Sequence, residues 1–187
     1  TRTYAFGEVS QIMKDHFTLV AISNLNLASP IFKKGCCGMN FDYLARKPFW
    51  DRGLDFNHGT GHGVGYLLNI HEGPAGFRYT YRAGESDAFQ PGMVITDEPG
   101  IYIEGSHGVR LENELLVREG EKNEYGEFLY FETITYVPFD LDAINPDIMN
   151  AEDKERLNTY HATVYDKVSP YLNDEEKEWL KKYTRAI

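Results

Sequence analysis

From position 58 the chain reads His-Gly-Thr-Gly-His-Gly-Val-Gly, and this stretch restricts the fold more tightly than any other. Glycine at 59, 61, 63 and 65 leaves every second position without a β-carbon. A glycine costs a helix roughly 1 kcal/mol relative to alanine. His58 and His62, though four apart, are therefore not expected on a helix face. A zinc helix with that spacing also needs a glutamate directly after the first histidine, where this chain has Gly59. Extended or looped backbone fits better, and the glycines let other backbone or a ligand approach closely. With His71, three of the chain's six histidines fall in this region. One loop histidine is more often an ordinary surface residue; three in one glycine frame favour a site.

Two acidic motifs follow. Met93–Thr96 is a short apolar strand that runs into Asp97-Glu98-Pro99-Gly100. A carboxylate at a buried strand end is unfavourable unless it is paired or bound to metal. Val109–Val117 alternates, with Val109, Leu111 and Leu115 on one face and Arg110, Glu112 and Glu114 on the other. Taken singly, the first motif reads as a solvated turn, and the second is evenly balanced between a solvated sheet face and a site. Taken together, one histidine and two glutamates offer the oxygen and nitrogen donors that suit Mn²⁺, Co²⁺ or Zn²⁺, not a thiolate centre. Three donors fall short of what a pair of metal ions needs.

The remaining pattern predicts a helix over Glu8–Ser29, with Val9, Ile12, Met13, Phe17, Val20 and Asn24 on one stripe. It predicts a turn over Ile31–Gly38, a short helix from Phe41 to Trp50 bent by Pro48, and a strand over Leu129–Phe139. Asn150 can cap a helix that starts at Ala151 and carries Leu157, Tyr160, Val164 and Val168 along its apolar side. A last helix starts at Asn173 or Asp174 and carries Trp179, Leu180 and Tyr183. Helices, then strands, then helices imply an α+β fold. The 187 residues suffice for one domain or part of a larger one. A formal net charge of −10 argues against nucleic acid as a partner. No apolar run reaches the length of a membrane span, and no signal peptide is expected. The adjacent Cys36 and Cys37 suit a reducing, cytoplasmic setting. Residues 1–6 alternate as a strand would, so the chain is expected to be the later part of a longer protein.

The stretch from His58 to Pro74 closely resembles the signature of the Xaa-Pro aminopeptidases, metallopeptidases of the pita-bread fold shared with prolidase, methionine aminopeptidase and creatinase. Thr96-Asp-Glu98-Pro-Gly100 and Gly108-Val-Arg110-Leu-Glu112-Asn113 resemble that family's two later metal motifs, in the same order. The resemblance implies the C-terminal part of a pita-bread catalytic domain over residues 1–187, a curved antiparallel sheet flanked by helices. It implies two divalent ions, Mn²⁺ first and Zn²⁺ or Co²⁺ as alternatives, with His62, Glu98 and Glu112 as ligands and Glu112 bridging. Glu98 would also handle the proton of the attacking water, and His71 would steady the scissile carbonyl or the tetrahedral intermediate. His58 would line the substrate site beside proline, and Arg110 would orient a ligand carboxylate. His58, His62, His71 and Glu98 are thus the expected substrate contacts. The implied substrates are peptides with proline in second position, cut by metal-activated hydroxide, and the implied assembly is a homodimer.

The pattern also needs two aspartates from an earlier strand pair. In the family the second is followed by Val-Thr-Arg-Thr, and this chain opens Thr1-Arg2-Thr3. That aspartate would lie two residues before Thr1, so this chain alone is expected to be inactive. Alternatives are a prolidase-type dipeptidase and a non-catalytic binding module of the same fold. The Asn-Ile-His-Glu-Gly-Pro ending favours the aminopeptidase.

Overall fold

The computed structural model describes residues 1–187. Helix α1 spans Gln11–Ala28 and starts at Ser10, whose hydroxyl accepts the Met13 N–H. It is not the one-sided helix expected. Ile12 faces solvent, whereas every residue from His16 to Leu25 is buried, because the helix threads between two apolar clusters. Phe17, Leu19, Val20, Ala21, Ile22 and Leu25 enter the first cluster, with Leu111, Phe139 and Leu157. Leu27 enters the second, with Phe32, Phe77, Phe89, Ile95, Leu115 and Phe131. Polar groups that this threading buries are satisfied locally: the Thr18 hydroxyl donates to Lys14 O, and that of Ser23 donates to Ala45 O.

Eight strands follow: β1 Ile31–Lys33, β2 Gly61–His62, β3 Gly76–Phe77, β4 Val94–Asp97, β5 Gly100–Ile103, β6 His107–Arg110, β7 Asn113–Asn123 and β8 Gly126–Thr133. One antiparallel sheet has the order β1-β8-β7-β4, and β2-β3 and β5-β6 are two-stranded ribbons. A bridge between Gly63 and Ile95 ties the β2-β3 ribbon to β4. Helix α2 covers Asp42–Trp50, with Pro48 inside it. Helix α3 (Ala151–Val168) carries the expected Asn150 cap, completed by a reciprocal Asp153 side chain. Helix α4 (Asp174–Tyr183) is capped in the same way by Asn173 and Glu176. It buries Leu180 and leaves Trp179 exposed. The α+β expectation is met.

Four local expectations are corrected. Residues 1–6 form no strand; Thr1 O accepts the Glu112 N–H, and the Thr3 hydroxyl, in place of backbone, engages Arg110. Ile31–Lys33 is a strand, held by pairing with β8 that no local pattern reveals. The strand expected over Leu129–Phe139 runs instead from Gly126 to Thr133. The strand expected over Val109–Val117 is two strands in different sheets. Arg110 pairs with Gly100 in the ribbon, and Asn113 pairs with Asp97 in the main sheet. Burial still alternates across the break, with Val109, Leu111, Asn113, Leu115 and Val117 inside, which is why the sequence reads as continuous.

Candidate active site

The geometry of β2, β4 and β6 brings most of the expected residues to one place. His62 closes β2. Its Nδ1 lies 2.9 Å from Gly63 O, so that nitrogen carries the proton and donates to the carbonyl. The Nε2 lone pair is then left pointing at Glu98 Oε1, 3.2 Å away. Two acceptors facing each other at that distance need a proton or a cation between them. Glu98 stands just past β4 and is held by the Thr96 hydroxyl at 3.1 Å, which also receives the His62 N–H at 3.0 Å. Arg110 NH1 approaches the other Glu98 oxygen at 3.8 Å. The His71 ring lies 4.0 Å from that of His62, centroid to centroid, on the exposed side.

His58 sits beyond Arg110. Its Nδ1 donates to Gly59 O at 2.8 Å, and its Nε2 accepts from the Tyr102 hydroxyl at 3.1 Å and from Arg110 at 3.4 Å. Burial, with the Arg110 charge adding to it, holds this imidazole below its usual pKa and so keeps it a neutral acceptor. Tyr102 was not singled out in the sequence; nothing there separates it from any exposed aromatic on a strand. His58, His62, His71, Glu98, Arg110 and Arg78 line one cleft of about 380 Å³.

Glu112 is the residue that does not join the pair. Its carboxylate is bonded to the Thr1 amine at 3.1 Å and to the Thr1 hydroxyl. Burial alone would raise its pKa; the Thr1 hydroxyl and amine and Arg110 outweigh this and bring it down. Around it the field is negative. Glu114 is pushed up by burial and by Glu112. Asp97, on the opposite side of β4 from Glu98, is fully buried with both oxygens unpartnered. Burial and the charges of Glu98 and Glu112 raise its pKa well above its ordinary value.

The donor types therefore fit a hard or borderline divalent cation, and the His62–Glu98 approach calls for a positive centre. The number does not complete a two-ion site: no three His, Cys, Asp or Glu side chains converge closely enough to hold a metal ion.

Residues 1–119 match the model of metallopeptidase family M24, and residues 127–187 match the C-terminal region of peptidase M24. The chain belongs to metallopeptidase family M24. It is 42% identical to aminopeptidase P1 of Arabidopsis thaliana, over 100% of this chain and 29% of that protein. An X-prolyl aminopeptidase from Caenorhabditis elegans, described as a cytosolic enzyme with a di-nuclear active site, superposes with a TM-score of 0.90 at 34% identity. That match covers 100% of this chain and 31% of the other. An Xaa-Pro dipeptidase from Bacillus anthracis superposes at 0.58 and 36% identity, over 75% of this chain and 35% of its own. The pita-bread architecture of this M24 chain is thereby established. The chain spans about three tenths of the length of the curated relatives it matches. None of its helices is long and apolar enough to cross a membrane.

Proposed function

We propose that this chain is the C-terminal part of the catalytic domain of an Xaa-Pro aminopeptidase, a longer protein that removes an N-terminal residue preceding proline. The observation that carries this reading is the similarity along 97–100% of the chain to Xaa-Pro aminopeptidases, at 42% identity to the A. thaliana protein and with a TM-score of 0.90 to the C. elegans enzyme. In this reading His62, Glu98 and Glu112 would supply part of the ligand set for two divalent ions, Mn²⁺ first, with the remaining donors coming from the rest of the longer protein. When bound, such ions polarise a carbonyl and lower the pKa of water.

The chain's own residues then divide the remaining work. Glu98 takes a proton from water and delivers it to the proline nitrogen, which carries no hydrogen while acylated. His71, on the open side of His62, donates to the carbonyl oxygen as it gains charge. His58, neutral and fixed by Gly59, Tyr102 and Arg110, forms the wall beside the proline ring. Arg110 orients the Glu98 carboxylate. The Glu112 N–H donates to Thr1 O, which supports a reading in which residues preceding Thr1 in the longer protein run beside Glu112. That is where the missing carboxylate donors are needed. Proline-second peptides as substrates, a homodimer and a cytosolic location belong to the same proposal.

The test is an assay of the longer protein and of this 187-residue chain with Mn²⁺, on an Xaa-Pro dipeptide and an Xaa-Pro-Xaa tripeptide. The expected result is turnover of the tripeptide by the longer protein only. Turnover by the chain alone would refute the incomplete site, and dipeptide-only cleavage would make the protein a prolidase.

A further inference from the structure

Helix α2 sends Asp42 and Arg46, one turn apart, into the space behind the His58–His62 segment, where they are 0% and 1% exposed. Arg46 Nε donates to Asp42 Oδ2 at 2.6 Å. Its NH1 donates to Asp55 Oδ1 at 2.6 Å and to Phe56 O at 2.8 Å, and its NH2 donates to His58 O at 2.7 Å. The guanidinium is flanked by the rings of Phe56 and Tyr79, at 4.1 and 4.7 Å. The second Asp42 oxygen accepts the Thr60 hydroxyl at 2.5 Å. Thr60 is itself fully buried, with its N–H on Phe77 O at 2.9 Å and its carbonyl receiving the Glu98 N–H at 2.7 Å.

One ion pair therefore grips the segment at Phe56, His58 and Thr60, and through Thr60 it reaches the backbone of Glu98. A buried ion pair adds little net stability over an apolar pair of equal volume. What the planar fork provides is direction, because its donors fix several acceptors at once. The segment has glycines at 59, 61 and 63 and so cannot hold its own shape. Asp42, Arg46 and Thr60 do not line the cleft, so none of them can touch a substrate there.

We propose that Asp42, Arg46 and Thr60 are positioning residues for the peptidase reaction, setting His58 and Glu98 relative to each other through the Thr60 backbone. This rests on the aminopeptidase reading above. A misplacement near 1 Å at a reacting group can lower the rate on the order of 100-fold.

The experiment compares wild type, Thr60→Val, Thr60→Ser and Arg46→Lys in the longer enzyme, with an Xaa-Pro-Xaa tripeptide and Mn²⁺. Valine keeps the volume and removes the hydroxyl; serine keeps the hydroxyl. Thr60→Val is expected to lower kcat/KM about tenfold or more, mostly in kcat, while Thr60→Ser stays within about threefold of wild type. Arg46→Lys keeps the charge and loses the fork, and is expected to raise KM through His58. It serves as the second variant should Thr60→Val not fold. Wild-type kcat/KM in folded Thr60→Val, or equal damage in valine and serine variants, overturns the proposal. If the wild-type enzyme cuts no Xaa-Pro peptide, the functional reading fails, and the positioning claim is decided on the longer protein by NMR. There, Thr60→Val must move the Glu98 amide and the His58 ring signals while Thr60→Ser leaves them in place; unmoved signals in the valine variant overturn it.

Discussion

His161 is expected to weaken the fold progressively as pH falls from 6.5 towards 4. The imidazole is 0% exposed on α3. Its Nε2 accepts the Phe139 N–H at 3.0 Å, so the proton sits on Nδ1, which is buried without a partner. A second proton on Nε2 would face the Phe139 N–H donor head-on. Burial first, then the charges of Arg2 and Arg185, lower the pKa from 6.5 to about 4. Because the folded value is depressed, the unfolded chain binds more protons between those two values, and stability falls as pH falls through that window. The stabilisation is intact above pH 6.5; the loss amounts to about 2 kcal/mol at pH 5 and about 3 kcal/mol at pH 4. In a chain of this length 2 kcal/mol moves Tm by roughly 4–8 °C. His161→Gln supplies an amide oxygen for the Phe139 N–H and does not titrate. Tm is measured for both proteins from pH 7.5 to pH 5. The wild-type advantage at neutral pH is expected to shrink by that amount, since all other groups titrate alike in the two. A difference independent of pH over this range would refute the assignment.

Three further outcomes are expected. Asn24→Leu strips a partner from three buried groups, Asp97 O (2.8 Å), Leu111 O (3.4 Å) and the Asn113 amide (3.0 Å), and is expected to destabilise by about 2–4 kcal/mol in urea titrations. Gly61→Ala places a β-carbon 1.7 Å from Thr96 O, so β2 must separate from β4; the cost is about 3 kcal/mol or more, read as a lowered Tm and lost protection of the Glu98 amide in hydrogen exchange. In the longer enzyme, Glu98→Gln is expected to keep the fold by circular dichroism and to lose bound metal by elemental analysis; unchanged metal content would remove Glu98 from the ligand set.

What the sequence disclosed about the fold follows how local each signal is. The caps at Asn150 and Asn173 are legible because side chain and backbone partner lie three residues apart. Strand β1 is invisible because Ile31–Lys33 becomes a strand only by meeting Phe128–Tyr130, almost a hundred residues on. The same holds for α1. A stripe of apolar residues predicts one buried face, yet two clusters from distant parts of the chain enclose Phe17–Leu27, and only their assembly buries Thr18, Ser23 and Asn24. The break at Leu111–Glu112 escaped for a different reason. Alternation reports burial, and burial continues across a point where hydrogen bonding changes sheets.

That change of sheets bears on the site itself. Arg110 is the last residue of the β5–β6 ribbon and Asn113 the first of β7 in the main sheet, leaving Leu111 and Glu112 between two ladders. Leu111 fills the core at 0% exposure. Glu112, on the alternate side, is left with its N–H free of either ladder, and Thr1 O takes it. A continuous strand would have spent that donor on a neighbouring strand and closed the edge. The interruption opens a place where another length of chain can run beside Glu112, and Thr1–Thr3 lies there. The histidine and glutamate motifs were readable from sequence because their residue types carry the chemistry. The break between the two ladders was not, because it consists of backbone that the alternating pattern makes look paired.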